Sequence, residues 1–405
     1  MAHSRRDVIL LFSVRSVRLF AYGALSVVLA LYLHEAGLTG AEIGLLFTLT
    51  LAGDAGISLW ITTTADHAYS RGRKKMLLLG AGLMILAGVV FSMTGHPVLL
   101  MIAAIIGVIS PSGNEIGPFL SLEQAALSQL LPSGQRTKAF AWYNLAGSLA
   151  TATGALAAGF LSQGLRHAGF SELLSYKAVI LGYSACGLVL VVLFLFLSPA
   201  VETTETISAK KRVLGLHDSK AVVFRLSALF ALDAFAGGFV IQSMVAYWFH
   251  IKFGIDAGVL GSIFFGANIL AGISALLAVR IASRIGLINT MVFTHIPSNV
   301  LLCLVPFMPS LGLAITVLLL RFSISQMDVP TRQSYTMAVV DPDERSAASG
   351  VTGIARSIGA AISPALAGIL LESPVYLSAP FFVAGGLKIV YDLLLYRSFR
   401  KAELK

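Results

Sequence analysis

Ten ionisable side chains interrupt long apolar runs: Arg15, Arg18, Arg321, Arg356 and Lys388, against Asp54, Glu115, Asp233, Asp328 and Asp392. A charge at the centre of a bilayer costs about 2.5–3.5 kcal/mol even on the lenient insertion scale, so such residues pair, face water, or bind something. Five of each sign make pairing the simplest expectation. Lys388 and Asp392, four residues apart, are expected to neutralise each other, and Asp328 to do the same with Arg332. The others offer two chemistries. A carboxylate buried in an apolar site can take up a proton and release it when a cation or water arrives, which suits Glu115, Asp233 and Asp328. A cluster of cations can hold an anion, and Arg15, Arg18 and Tyr22, spaced i, i+3, i+7, share one cationic helix face. His295 reads as a buried, hydrogen-bonded histidine, and no His, Cys, Asp or Glu spacing matches a metal site.

The elements that position these residues are long and apolar. Of 405 residues 57% are hydrophobic and 12% charged, with mean hydropathy +0.84, against roughly 25% charged in a soluble domain. One aqueous domain could not bury so much apolar surface, which excludes a soluble enzyme. Apolar runs between polar breaks place twelve spans near 8–33, 41–63, 76–94, 98–121, 138–161, 176–197, 221–249, 257–279, 289–307, 311–331, 346–371 and 375–396. The longest polar stretch is central. The chain therefore divides into a six-helix bundle at 1–197, a cytoplasmic linker at 198–220 and a second bundle at 221–405.

The net charge of +9 and the pI of about 9.6 do not mark a nucleic-acid surface. The basic residues punctuate the spans, with 21 of 29 Lys and Arg on the side that holds the N-terminus and the even-to-odd connections, among them Arg332, and three opposite. Both termini are thereby expected in the cytoplasm. Cys186 and Cys303 lie in apolar runs and read as reduced packing residues. The N-terminus shows no cleavable signal peptide, because Arg15 and Arg18 break the apolar stretch.

The halves repeat. Shifting the sequence by 209 positions aligns 123–159 with 332–368 at eight identities in 37, including Gln124 with Gln333 and Arg136 with Arg345. A duplicated six-helix unit implies two bundles about a central path. Span four is irregular, holding Pro111, Gly113, Gly117 and Pro118, and span ten is interrupted at Asp328-Val329-Pro330. Interrupted helices at matching places in two repeats point to a binding site. At 1.5 Å per residue, Asp54, Asp233, Arg321 and Arg356 lie about 15–20 Å into their spans, near the midplane.

Twelve spans in related halves, with the basic stretch Asp66-His67-Ala68-Tyr69-Ser70-Arg71-Gly72-Arg73-Lys74-Lys75 after span two and Arg284-Ile285-Gly286 in the second half, resemble the major facilitator superfamily. The resemblance covers the whole chain and implies an all-α polytopic membrane protein of two pseudo-symmetric six-helix bundles. It implies a conformational latch at Asp66, Arg71, Gly72, Arg73, Arg284 and Gly286. In that family spans one, four, seven and ten line the cavity. The likeness therefore selects Arg18 and Tyr22, Asn114 and Glu115, Asp233 with Gln242, and Arg321 with Asp328.

The expected function is alternating-access transport of a small organic solute, as proton-coupled efflux by antiport with Glu115, Asp233 and Asp328 exchanging protons. A uniporter, symporter or exchanger of an organic or inorganic anion is the alternative, and a sensor or scaffold that moves nothing is a third. No Gly-Lys phosphate loop is present, so ATP is not the energy source, and no nucleophile constellation marks an enzyme. No cofactor, metal or nucleic-acid partner is expected. The partners are a small-molecule substrate, protons and the lipid bilayer, and the chain is expected to be a monomer. Its short loops suggest a bacterial inner membrane.

Overall fold

The structure, a computed structural model, describes residues 2–67, 72–114, 119–202, 216–341 and 344–400. Its α-helices are α1 (Ala2–Glu35), α2 (Gly40–His67), α3 (Gly72–Met93), α4 (Pro97–Ile106), α5 (Phe119–Leu130), α6 (Ser133–His167), α7 (Glu172–Leu195), α8 (Lys220–Gly238), α9 (Gln242–Phe253), α10 (Ala257–Ile285), α11 (Leu287–Leu304), α12 (Leu311–Ser325), α13 (Asp328–Ala338), α14 (Arg345–Glu372) and α15 (Ala379–Phe399). Joining α4 to α5, α8 to α9 and α12 to α13 gives the twelve spans of the fold. Among the described residues eleven are long and apolar enough by length and composition to cross a membrane, and in the span made of α4 and α5 the apolar helix Pro97–Ile106 is shorter. Exposed Phe160, Leu188, Val279 and Ile358 on these helices face an apolar solvent.

Spans four, seven and ten are the broken ones. The described break in span four holds Gly107, Pro111 and Gly113, and that in span ten lies just ahead of Pro330. That in span seven falls at Phe239-Val240-Ile241, directly after Gly237 and Gly238. Carbonyls released in span four find donors within the protein, as an intramembrane break requires. The Tyr183 hydroxyl donates to the Val108 carbonyl, and Ser110 Oγ donates to the Asn114 carbonyl at 2.8 Å.

Two compact units result. The first holds the described residues up to 202 together with Val245–Phe265. In it α1 runs along α6 and α7, α3 along α7, and α2 along α4. A Cβ at Gly154 would overlap the Phe20 carbonyl, so glycine is what lets α6 approach the α1 backbone. The second unit holds 216–244 and 266–400. There α8 lies along α14 and α15, and α11 against α15, α12 and α13. Gly359 meets the Ala231 carbonyl in the same way. Val223, Phe230, Met291, Tyr335, Tyr391 and Leu395 pack its core.

Polar anchors fix the ends of this framework. Asp7 accepts from Ser198 N at 3.1 Å and Ser198 Oγ at 2.5 Å, tying α1 to the segment that follows α7. In the second unit Glu344 accepts from the backbone N–H groups of His217 and of Ser219, the latter at 2.9 Å, and so holds the start of α8. Burial pushes the Glu344 carboxyl up, but the hydrogen bonds from Ser219 and His217 outweigh it and bring the group from its ordinary 4.5 down to about 2. A carboxylate depressed in the fold contributes stability above its unfolded value, and that contribution is lost as pH falls through the folded one. Glu344→Gln should therefore lower the unfolding midpoint at neutral pH. The gap to the parent protein should close as pH falls from about 4.5 toward 2, as thermal unfolding against pH would register.

Candidate functional site

The second unit contains a charge cluster built from five helices, α8 and α12 to α15. Asp233 sits on α8, about 20 Å into span seven at 1.5 Å per residue. Its Oδ1 accepts from Lys388 Nζ on α15 at 2.6 Å, and its Oδ2 accepts from Arg332 Nη1 on α13 at 3.0 Å. Arg356 Nη1, on α14, lies 3.6 Å from the same Oδ2. Arg332 Nη1 also donates to Asp328 Oδ2, one turn back on α13, at 2.8 Å. One carboxylate thus faces three cations. Arg332, Lys388 and both carboxylates are buried, but the Arg356 side chain is 36% exposed. Arg321, partly buried on α12, lies over the Phe322 ring at 5.0 Å and acts electrostatically on Asp328. Four cations therefore serve two carboxylates in this cluster.

Of the two expectations about pairing, one holds and one changes. Asp328 does bond Arg332. Lys388 does not neutralise Asp392; it bonds Asp233, because α15 packs on α8 and offers a carboxylate with better geometry than its own next turn. Asp392 instead accepts from His295 Nδ1 at 2.8 Å and from Asn299 Nδ2 at 3.1 Å. His295 is buried and hydrogen-bonded, as the sequence suggests. Arg332 is not a cytoplasmic loop residue: span ten continues through α13 to Ala338 and carries it inside.

The first unit holds a different arrangement. Arg18 Nη1 and Nη2 donate to Glu123 Oε1 and Oε2 at 2.5 and 2.8 Å, the bidentate geometry that suits guanidinium and carboxylate best. Tyr143 donates to the same carboxylate, and the Arg18 guanidinium lies 4.6 Å from the Phe119 ring centroid. Both charged side chains are fully enclosed. Arg15 donates to Asn144 at 3.2 Å and stacks over Tyr143 at 4.3 Å. Tyr22 is enclosed against Tyr183. Glu123 was not singled out by the sequence, since α5 carries it beyond the proline-rich break. One signal was available: Glu123 and Arg332 are 209 positions apart, so the repeat places an acid in one half where it places a base in the other.

Other selected residues lie apart from both clusters. Asn114 is exposed at the span-four break. Gln242 accepts from Asn268 Nδ2 at 3.3 Å. Glu115 and Arg71 lie outside the described residues, and so does the Asp66 side chain. Gly72 opens α3. Arg73 is buried, donating to Gln129 Oε1 at 3.0 Å and the Val201 carbonyl at 3.2 Å, while its own N–H reaches Glu202 at 3.0 Å. Arg284 is exposed in the last turn of α10, and Gly286 is exposed between α10 and α11, where it takes φ +86°, a value that favours glycine. Among the described residues no group of three or more His, Cys, Asp and Glu could hold a metal.

Comparison with known proteins agrees with this fold. The chain is 30% identical over 431 residues to an uncharacterised membrane protein of Saccharomyces cerevisiae, YJR124C, covering 99% of this chain and 95% of that one. Its fold is similar to that of the nucleoside transporter NupG, with TM-score 0.78 at 14% identity over 97% of this chain and 99% of that chain. It also resembles a bacterial homologue of the human lysosomal transporter Spinster, with TM-score 0.73 at 14% identity over 98% and 96%. A bacterial membrane was inferred from loop length alone, and a full-length relative in yeast removes that argument. The model of the Major Facilitator Superfamily matches residues 11–364 and 251–404. The chain is an integral membrane protein that belongs to the major facilitator superfamily, a family of transporters and not of enzymes.

Proposed function

We propose that the protein carries a small organic anion by alternating access, held through Arg356, Arg332 and Lys388 of the second unit. The observation that carries this reading is the cation excess around Asp233, with Arg356 the most exposed member. Guanidinium groups bind carboxylates and phosphates by geometry as well as charge. Asp233 then serves as the counter-ion of the empty site. The enclosed Arg18 and Glu123 pair, with hydrogen bonds on both carboxylate oxygens, suits a structural role in the first unit.

Orientation belongs to the same proposal. With Arg332 moved into the membrane, twenty Lys and Arg remain on the side of the N-terminus against three opposite, which supports cytoplasmic termini. The latch assigned to Asp66, Arg71, Gly72, Arg73, Arg284 and Gly286 is supported at Arg73, whose bonds tie α3 to the segment after α7.

Thermal unfolding of the detergent-purified protein against organic anions, lipophilic cations, sugars and amino acids tests the reading. A ligand at 100 times its dissociation constant adds about 2.7 kcal/mol of stability, a readable shift. Organic anions should raise the midpoint, and Arg356→Ala should remove the effect at every pH. A rise given only by lipophilic cations, and only at higher pH, would support the other reading, in which Glu115, Asp233 and Asp328 exchange protons for exported substrate.

A further inference from the structure

The two partly buried cations of the cluster are also the two without hydrogen bonds. Arg332 and Lys388 are enclosed and each donates to a carboxylate, Arg332 to Asp233 and Asp328, Lys388 to Asp233. Arg356 Nη1 stands 3.6 Å from Asp233 Oδ2, within ion-pair reach but beyond a hydrogen bond. Arg321 makes no hydrogen bond or ion pair to any described residue, and its buried Nε has no acceptor. A guanidinium in an apolar span is costly until its donors find acceptors. Its fork matches one carboxylate, through two parallel N–H···O bonds. Arg18 with Glu123 has that completed form in the first unit. Two open forks call for two carboxylates that the described residues do not supply.

The open forks stand at opposite ends of one row of charges. Asp233 and Asp328 both bind Arg332 Nη1, at 3.0 and 2.8 Å, and these three make the middle of the row. Arg356 on α14 closes the end at Asp233, and Arg321 on α12 acts electrostatically on Asp328 at the other. The signs alternate along Arg356, Asp233, Arg332, Asp328 and Arg321. Arg321 lies on the packed side of α12, where Ala314, Leu318 and Ser325, at i−7, i−3 and i+4, are buried on the same face. Each open fork is about 15 Å from the start of its helix at 1.5 Å per residue, which brings both near the midplane of a ~30 Å core. A monocarboxylate fills one fork and leaves the other open. A phosphate monoester concentrates both charges at one end, whereas two carboxylates joined by a carbon chain meet both.

We infer that the carried anion is a dicarboxylate, with one carboxylate held by Arg356 and the other by Arg321. The inference rests on the anion reading above and names the substrate class of the same site. Arg321 then becomes the residue that selects two separated charges over one.

The test titrates full-length protein in detergent by thermal shift at about pH 8, where every carboxyl of the probes is ionised. The probes are malonate, succinate, glutarate and adipate, the monomethyl ester of each, and glycerol phosphate. At least one diacid should bind about tenfold tighter or more than its own monoester, the gain expected of a charge-assisted hydrogen bond. In Arg321→Gln that diacid should fall to the affinity of its monoester, while the monoester binds as it does to the parent protein. Equal binding of every diacid and its ester, a preference retained in Arg321→Gln, or glycerol phosphate bound more tightly than every diacid overturns the dicarboxylate inference and leaves the anion reading standing. Absence of a shift with every one of these anions overturns that reading, and the inference with it. Should Arg321→Gln fail to fold, the ranking of diacid against ester in the parent protein still decides the point.

Discussion

Glu123→Gln should lower the stability of the protein by about 3–5 kcal/mol, the cost of leaving one member of a buried ion pair without its counter-charge. Arg18 is enclosed, both its terminal nitrogens bond Glu123, and the Phe119 face beneath it supplies only a weak substitute. Tyr143 would lose an ionised acceptor as well. Replacing both partners with apolar residues of similar length, as in Arg18→Met with Glu123→Met, should recover most of that loss, because desolvation of two charges offsets much of their attraction. Transport should survive in the double variant. Denaturant or thermal unfolding, read beside uptake, separates the outcomes; if the double variant folds but does not transport, Arg18 or Glu123 touches the substrate and the structural role is wrong.

Asp233→Asn should behave differently. It removes the acceptor of Lys388 and a shared acceptor of Arg332, leaving three cations around a neutral amide. Asp328 still pairs with Arg332, which limits the damage, yet a loss of about 3 kcal/mol is expected for the uncompensated charge. If the cluster is an anion site, an added organic anion can take the vacant counter-ion role. The midpoint of Asp233→Asn should therefore rise more with added benzoate or succinate than that of the parent protein. An equal or smaller rise would mean that Asp233 and the ligand do not share partners.

Much of this arrangement is legible in the sequence, for a simple physical reason. A charge in an apolar run must be compensated, so Arg18, Asp233, Arg321, Asp328, Arg356 and Lys388 stand out without any coordinates. The twelve-span architecture follows from composition and repeat, and the family from the resemblance carried by those spans and the basic stretch Asp66–Lys75. What the sequence does not yield is who pairs with whom. The i, i+4 rule describes a single helix, and it misassigned Lys388 because α8 brings Asp233 within 2.6 Å. Span limits failed at the broken helices, where hydropathy fades before the helix ends. The apolar pattern ends span ten at 331, one residue short of Arg332, and span four at 121, two residues short of Glu123, whereas α13 and α5 run on to Ala338 and Leu130. The break in span seven has no proline to announce it, only Gly237 and Gly238 ahead of it. The shift of 209 residues was the overlooked guide to Glu123, since it pairs that residue with Arg332.

The most direct measurement of the central claim is counterflow in proteoliposomes that hold the purified protein. Liposomes loaded with unlabelled organic anion receive a trace of the same anion in labelled form, and lipophilic cations are run in parallel. Transient accumulation of labelled anion, lost in Arg356→Gln and absent for cations, is the result expected of an anion carrier built on the second unit. Accumulation of a lipophilic cation that is indifferent to Arg356→Gln would contradict it.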